Sequence, residues 1–179
     1  VLKLKLLMNY FELFEIPVQL KVDKSTLPLK FFAMSKKYHP DYFINAGEEE
    51  QKEVLEKSAM LNKAFKTFQQ PDETIKYVLQ LKNLIEEEEK YQLPPDFLME
   101  VMEINEALME LEPGEAVAEI PRLESRIAEL ETEIYEPVKE IVERYKEGIT
   151  TEKELLQVKE YYYKKKYLQR IEAQLRGKA

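Results

Sequence analysis

Apolar side chains return at steps of three and four along most of this chain. Such residues come back to one face of a helix, because a helix turns once in about 3.6 residues. The stripes are Leu27, Phe31, Met34 and Tyr38; Val54, Leu61, Phe65 and Phe68, with the small polar Ser58 at the intervening step; Phe97, Val101, Ile104, Leu108 and Leu111; and Leu123, Ile127, Leu130, Ile134, Val138, Ile141 and Tyr145. With only four glycines in 179 residues and no sheet-like run, the expectation is an all-α protein of one or two domains.

The first stripe should face a core, while Lys30 and Lys37, seven residues apart, and Lys36 beside them form a positive stripe in water. The stretch ends at His39-Pro40-Asp41, which holds the chain's one histidine. Pro40 has no amide proton and disfavours helical geometry at the residue before it, so the helix stops near Tyr38 or His39. His39 and Asp41 are then presented on a bend that suits docking better than chemistry. Glu48 to Glu50 sit near the next helix N-terminus, where the helix dipole favours negative charge. Tyr10-Phe11-Glu12-Leu13-Phe14, ended by Pro17, packs across the pair, and a helical hairpin with its loop outward follows.

Asn9-Tyr10-Phe11-x-Leu13-Phe14-x-Ile16-Pro17, then Tyr38-His39-Pro40-Asp41-x-Phe43, then Ser58-x-x-x-Asn62-x-Ala64-Phe65, then Pro71 and Tyr77-x-Leu79-x-Leu81 together resemble a J-domain. More narrowly, the chain resembles the HscB-type J-protein co-chaperones of iron–sulfur cluster assembly, from about Met8 to its end. That resemblance implies a DnaK/HscA-type chaperone ATPase as partner, bound through Lys30, Lys36, Lys37, His39, Pro40 and Asp41. Tyr42 stands where the family often has a lysine.

A net charge of −8 argues against nucleic acid as a partner. No apolar run reaches the length needed to cross a bilayer, and Val1 to Leu7 is too short for a full signal peptide, so a cytoplasmic protein without a membrane partner is expected. Met8 would also serve as a start. Zero cysteines and one histidine leave no disulfide, no zinc constellation and no expected cofactor or metal. With no Gly-rich phosphate loop and no nucleophile beside a base, the chain does not read as an enzyme. Any role in cluster assembly would run through partners, and the N-terminal cysteine module of some relatives has no counterpart to carry over.

The domain expectation is a J-domain over 8–82, an acidic linker over 83–94 and a three-helix domain over 95–179. Pro71-Asp72 closes the second long helix and starts a connecting helix to Leu81. Glu86 to Glu89 read as solvated. The third domain's first helix runs from about Asp96 to Glu112 and stops at Pro113-Gly114. Its second runs from about Ile120 to Glu147, kinked by Pro137 and ended by Gly148. Its third opens with a capping-box spacing at Thr151-Glu152-Lys153-Glu154 and reaches about Arg176. Short connections imply antiparallel neighbours in a bundle.

The helix from Asp96 is apolar on more than one side. Leu98, Met102 and Met109 point roughly 120° from the core stripe, and Met99 lies further round, near Glu103, Glu106 and Glu110. Flexible methionines ringed by carboxylates suit an adaptable protein surface. The carboxylates could instead simply pair with Lys159, Lys164, Lys165 or Lys166. The resemblance assigns this helix to an IscU-type iron–sulfur scaffold, through Leu98, Met99, Met102, Glu103, Glu106 and Glu110. An aromatic residue of the last helix joins them, best matched by Tyr163, with Tyr162 and Tyr167 as the other candidates; Tyr161, Leu168, Ile171 and Leu175 are assigned to the core. A J-domain co-chaperone with another client, or a self-associating helical protein with a vestigial loop, are the competing readings. Oligomeric state stays open.

Overall fold

The computed structural model describes residues 8–110 and 116–177, and no strand occurs among them. The chain forms two compact units that divide after Val78. The first holds α1 (Tyr10–Leu13), α2 (Leu27–Lys37), a 3-10 turn (Pro40–Phe43), α3 (Glu48–Gln69) and the start of α4 (Pro71–Leu81).

Asn9 opens α1 with a reciprocal cap: its Oδ1 accepts from the Glu12 amide at 2.9 Å, and its own amide donates to the Glu12 carboxylate at 2.8 Å. This short turn drives Phe11, Leu13 and Phe14 into the core. Phe68 of α3 meets Phe11 at 4.8 Å and Phe14 edge-on at 5.3 Å between ring centres. Tyr77 of α4 stacks on Tyr10 at 4.2 Å, and its hydroxyl accepts from the Tyr10 amide at 2.9 Å. Thr74, buried, donates its hydroxyl toward the carbonyls of Thr67 and Gln70 and so satisfies the end of α3.

α2 and α3 form the expected hairpin. Phe31 stacks on Phe65 at 4.2 Å and the Lys57 ammonium lies over Tyr38 at 5.4 Å, an antiparallel register. The stripe of α2 is less buried than its period suggests. Leu27 is enclosed, whereas Phe31, Met34 and Tyr38 are half-buried. α3 is covered by both α1 and α2, which explains why it buries Leu61, Ala64 and Phe68 almost completely.

The second unit contains α5 (Pro95–Glu110), α6 (Ala116–Tyr135), a 3-10 turn (Glu136–Val138), α7 (Lys139–Arg144) and α8 (Glu152–Arg176). Its core joins Phe97, Val101, Ile104 and Leu108 to Ile120, Leu123, Ile127 and Leu130, and to Leu168, Ile171 and Leu175. Leu111 and the stop at Pro113-Gly114 lie outside the described residues.

Three expectations are corrected here. The single kinked helix over 120–147 is broken, because Pro137 has no N–H to offer and its ring crowds the carbonyl four residues back; the chain passes through the 3-10 turn and resumes as α7. The break shifts the register, so Val142 is buried and Ile141 only half-buried. α7 also ends at Arg144, ahead of Gly148, whose φ of 76° serves a turn before α8. Within α6, Pro121 is tolerated near the helix start.

The acidic stretch 83–94 lies wholly within the second unit, since the division falls earlier, inside α4. Ile85 is buried, Glu89 pairs with Lys159 at 2.6 Å, and the Tyr91 ring stacks flat on Tyr163 at 4.5 Å. Glu86, Glu87 and Glu88 are exposed as expected; Glu89 is not, because α8 offers it a cation and a hydroxyl. The capping box of α8 forms as its sequence predicts, with the Thr151 amide donating to Glu154 at 2.7 Å.

Candidate functional site

Two surfaces carry the residues singled out from the sequence. On the first unit, α2 ends with Tyr38 as its cap, and His39 leaves in an extended conformation (φ −75°, ψ 125°) before Pro40 starts the 3-10 turn. The His39 Nδ1 accepts from the Asp41 amide at 3.3 Å. The Tyr42 amide donates to the His39 carbonyl at 3.1 Å. Downstream, the Gln51 side-chain amide donates to the carbonyls of Ile44 at 2.9 Å and Ala46 at 3.0 Å, fastening the loop to α3. Backbone and imidazole thus hold the bend, while the Asp41 side chain stays 77% exposed. Such a loop leaves the Asp41 carboxylate open to solvent on a held backbone.

The three lysines differ. Lys36 is exposed and Lys30 half-buried, with no ion pair to either among the described residues. Lys37 donates to the Glu15 carboxylate at 2.8 Å; that bond raises the lysine's pKa and lowers the glutamate's. Glu15 occupies the left-handed region (φ 52°) just after α1. Both side chains are water-exposed, so the pair is weak and open to competition. Leu29 and Phe32 of α2 and Tyr42 and Ile44 of the loop are also exposed. The positive stripe is therefore interleaved with apolar side chains, a feature readable in the sequence because Leu29 and Phe32 fall off the 27-31-34-38 stripe.

On the second unit, the outer face of α5 presents Met99 (60% exposed), Met102 (55%) and Met109 (81%). Glu103, Glu106 and Glu110 are exposed beside them and make no ion pair among the described residues; Lys159 and Lys164 are instead paired with Glu89 and Glu160. Leu98 does not share this face. It is half-buried, packs on the bundle core and lines a groove together with Tyr163.

Tyr163 donates its hydroxyl to Glu89 at 3.2 Å under the stacked Tyr91 ring. Burial, reinforced by the Glu89 charge, pushes its phenol up to about 12. The Lys159 hydrogen bond holds Glu89 below the usual carboxylate range. Of the alternatives, Tyr167 lines the same groove, whereas Tyr162 is buried. The groove thus joins Leu98 to the aromatic position of α8, while Met99, Met102 and the three carboxylates occupy the outward side of the same helix. Tyr91 and Glu89 escaped the sequence reading because their partners are some seventy residues away. Among the described residues, no group of three His, Cys, Asp or Glu side chains could hold a metal ion, and no helix is long and apolar enough to cross a membrane.

A family model described as the HSCB C-terminal oligomerisation domain matches residues 93–176, the span of α5 to α8. The co-chaperone protein HscB homolog of Vibrio vulnificus (strain YJ016) is 34% identical over 123 residues, 68% of this chain and 72% of the relative. The chain belongs to the HscB family of co-chaperones. The HscB homolog of Vibrio cholerae serotype O1 (strain ATCC 39541) is 38% identical over 102 residues, 56% of this chain, and the match spans only 60% of that relative's length. Human HscB, as solved by crystallography, aligns with 94% of this chain and 80% of its own at a TM-score of 0.73 and 27% identity. Vibrio cholerae HscB aligns with 94% of this chain and 99% of its own at a TM-score of 0.59 and 28% identity. These alignments take in both units, so the all-α expectation and the HscB resemblance stand. The 38%-identical Vibrio cholerae homolog and human HscB are both named as co-chaperones.

Proposed function

We propose that this HscB-family chain stimulates the ATPase of a DnaK/HscA-type chaperone through its first unit, which acts as a J-domain. Its second unit would deliver an IscU-type iron–sulfur scaffold to that chaperone. The observation that carries the reading is the His39-Pro40-Asp41 bend, tied by the bond from the Asp41 amide to His39 and leaving the Asp41 side chain in solvent beside a basic helix. Lys30, Lys36 and Lys37 steer an acidic chaperone surface toward α2, a rate effect that weakens with salt. Lys37 exchanges Glu15 for a carboxylate of the partner. Asp41 pairs with a chaperone cation, Pro40 keeps the bend stiff, and His39 fixes it through the Asp41 amide.

ATP is hydrolysed by the partner, and no residue of this chain enters the chemistry. The scaffold binds Leu98, Met99, Met102 and Tyr163, with Glu103, Glu106 and Glu110 meeting its cations. Holding both partners on one molecule raises the effective concentration of each for the other. The reading places the chain in the cytoplasm, with proteins as its partners and neither nucleic acid nor membrane among them.

The test is steady-state ATP hydrolysis by an HscA-type chaperone with this protein and an IscU-type scaffold, added singly and together. Synergy that disappears with His39→Gln supports the reading. Stimulation without any scaffold effect would assign the bundle to another client, and no stimulation at all would overturn the chaperone role.

A further inference from the structure

α8 carries its cations in two states. Lys159 is paired with Glu89 at 2.6 Å, Lys164 with Glu160 at 2.6 Å and Arg176 with Glu172 at 3.6 Å. Lys166 and Arg170, one helical turn apart, have no carboxylate partner among the described residues; the Arg170 guanidinium lies over the Tyr167 ring at 5.9 Å. Both line the groove that holds Leu98 and Tyr163, and unpaired Lys90 lines it from the 83–94 segment. Its one carboxylate, Glu89, is already paired with Lys159 and accepts a hydrogen bond from the Tyr163 hydroxyl. A chain with a net charge of −8 has therefore kept a basic, tyrosine-lined groove on the same unit as its acidic α5 face.

We infer that this groove binds an acidic segment of the scaffold, its carboxylates meeting Lys166 and Arg170 while an apolar side chain lies against Leu98 and Tyr163. The inference rests on the scaffold reading above and adds to it the sign of charge on the partner. A partner bound this way carries a basic patch for Glu103, Glu106 and Glu110 and an acidic one for the groove. Two patches of opposite sign fix its orientation, because the reversed pose sets like charges against each other.

Calorimetry of the full chain with an IscU-type scaffold tests it, using the double variant Lys166→Glu/Arg170→Glu, with Leu98→Ala as reference and thermal melts to verify folding. Charge reversal is expected to weaken binding by about tenfold or more, and Lys166→Gln/Arg170→Gln, which is safer for folding, to weaken it less. Zero-length carbodiimide coupling of the unaltered complex should join Lys166 or Lys90 to a scaffold carboxylate, read by mass spectrometry. Unchanged affinity in a folded charge-reversed chain that Leu98→Ala does weaken, with no such cross-link, would overturn the groove's role alone. Failure of the unaltered chain to bind the scaffold would instead remove the scaffold reading and this inference together.

Discussion

Single residues show how local chemistry decides what a side chain is available for. Lys37 and Lys36 are sequence neighbours, yet one is tied to Glu15 and the other is not. Glu15→Gln frees the Lys37 ammonium, and if Lys37 docks the chaperone, association should quicken most at low salt; stopped-flow measurement across ionic strengths reads this. Tyr163 gives a pH prediction with a definite sign. Its folded pKa lies near 12 against an ordinary 10, so the native state retains a proton that the unfolded chain has lost between those values. Stability from this group is fully present below about pH 10 and drains as pH rises through about 12. Denaturant melts of the unaltered chain over that range should show a steeper loss than those of Tyr163→Phe. At neutral pH the same substitution deletes the bond to Glu89, at a cost of about 1 kcal/mol.

At the level of elements, ends and breaks matter more than interiors. The Thr151 and Glu154 pair caps α8 in both directions, and Thr151→Ala should lower stability by about 1 kcal/mol in a thermal or chemical melt. The capping box was legible because it depends on residues three apart. Pro137 was legible as a disturbance, but its outcome was not. A kink would have preserved the stripe through Ile141, whereas the 3-10 turn rotates α7 so that Val142 faces inward. Which of these happens depends on α8, against which α7 packs. α2 makes the same point: its period was right, but how deeply Phe31, Met34 and Tyr38 are buried depends on how many helices cover them.

For the whole molecule, the two units have separate cores, one around Phe68 with Phe11 and Phe14, the other around Ile127 with Val101 and Leu168. Truncating one core should spare the other. Phe68→Ala removes a buried ring and is expected to cost about 3–5 kcal/mol. Amide exchange should rise through α1 to α3 and stay slow in α8, while Ile127→Ala should produce the converse. Uniform loss of protection from either substitution would mean that the units unfold as one.

From its sequence alone the protein was readable as all-helical, and its HscB resemblance rested on the Asn9 to Pro17 opening, the His39-Pro40-Asp41 bend, the Ser58 to Phe65 stretch and the ending at Leu81. These signals are local: helical period, a proline stop, a cap three residues away and a contiguous motif act before the chain folds. Tertiary structure alone decided that Leu98 turns from the methionine face toward Tyr163, that Glu89 and Tyr91 cover that tyrosine, and that the two units divide ahead of the acidic stretch. Those outcomes turn on pairings across some seventy residues. Half-buried rings and charges of that kind choose partners by what α8 brings within reach, which no local pattern encodes.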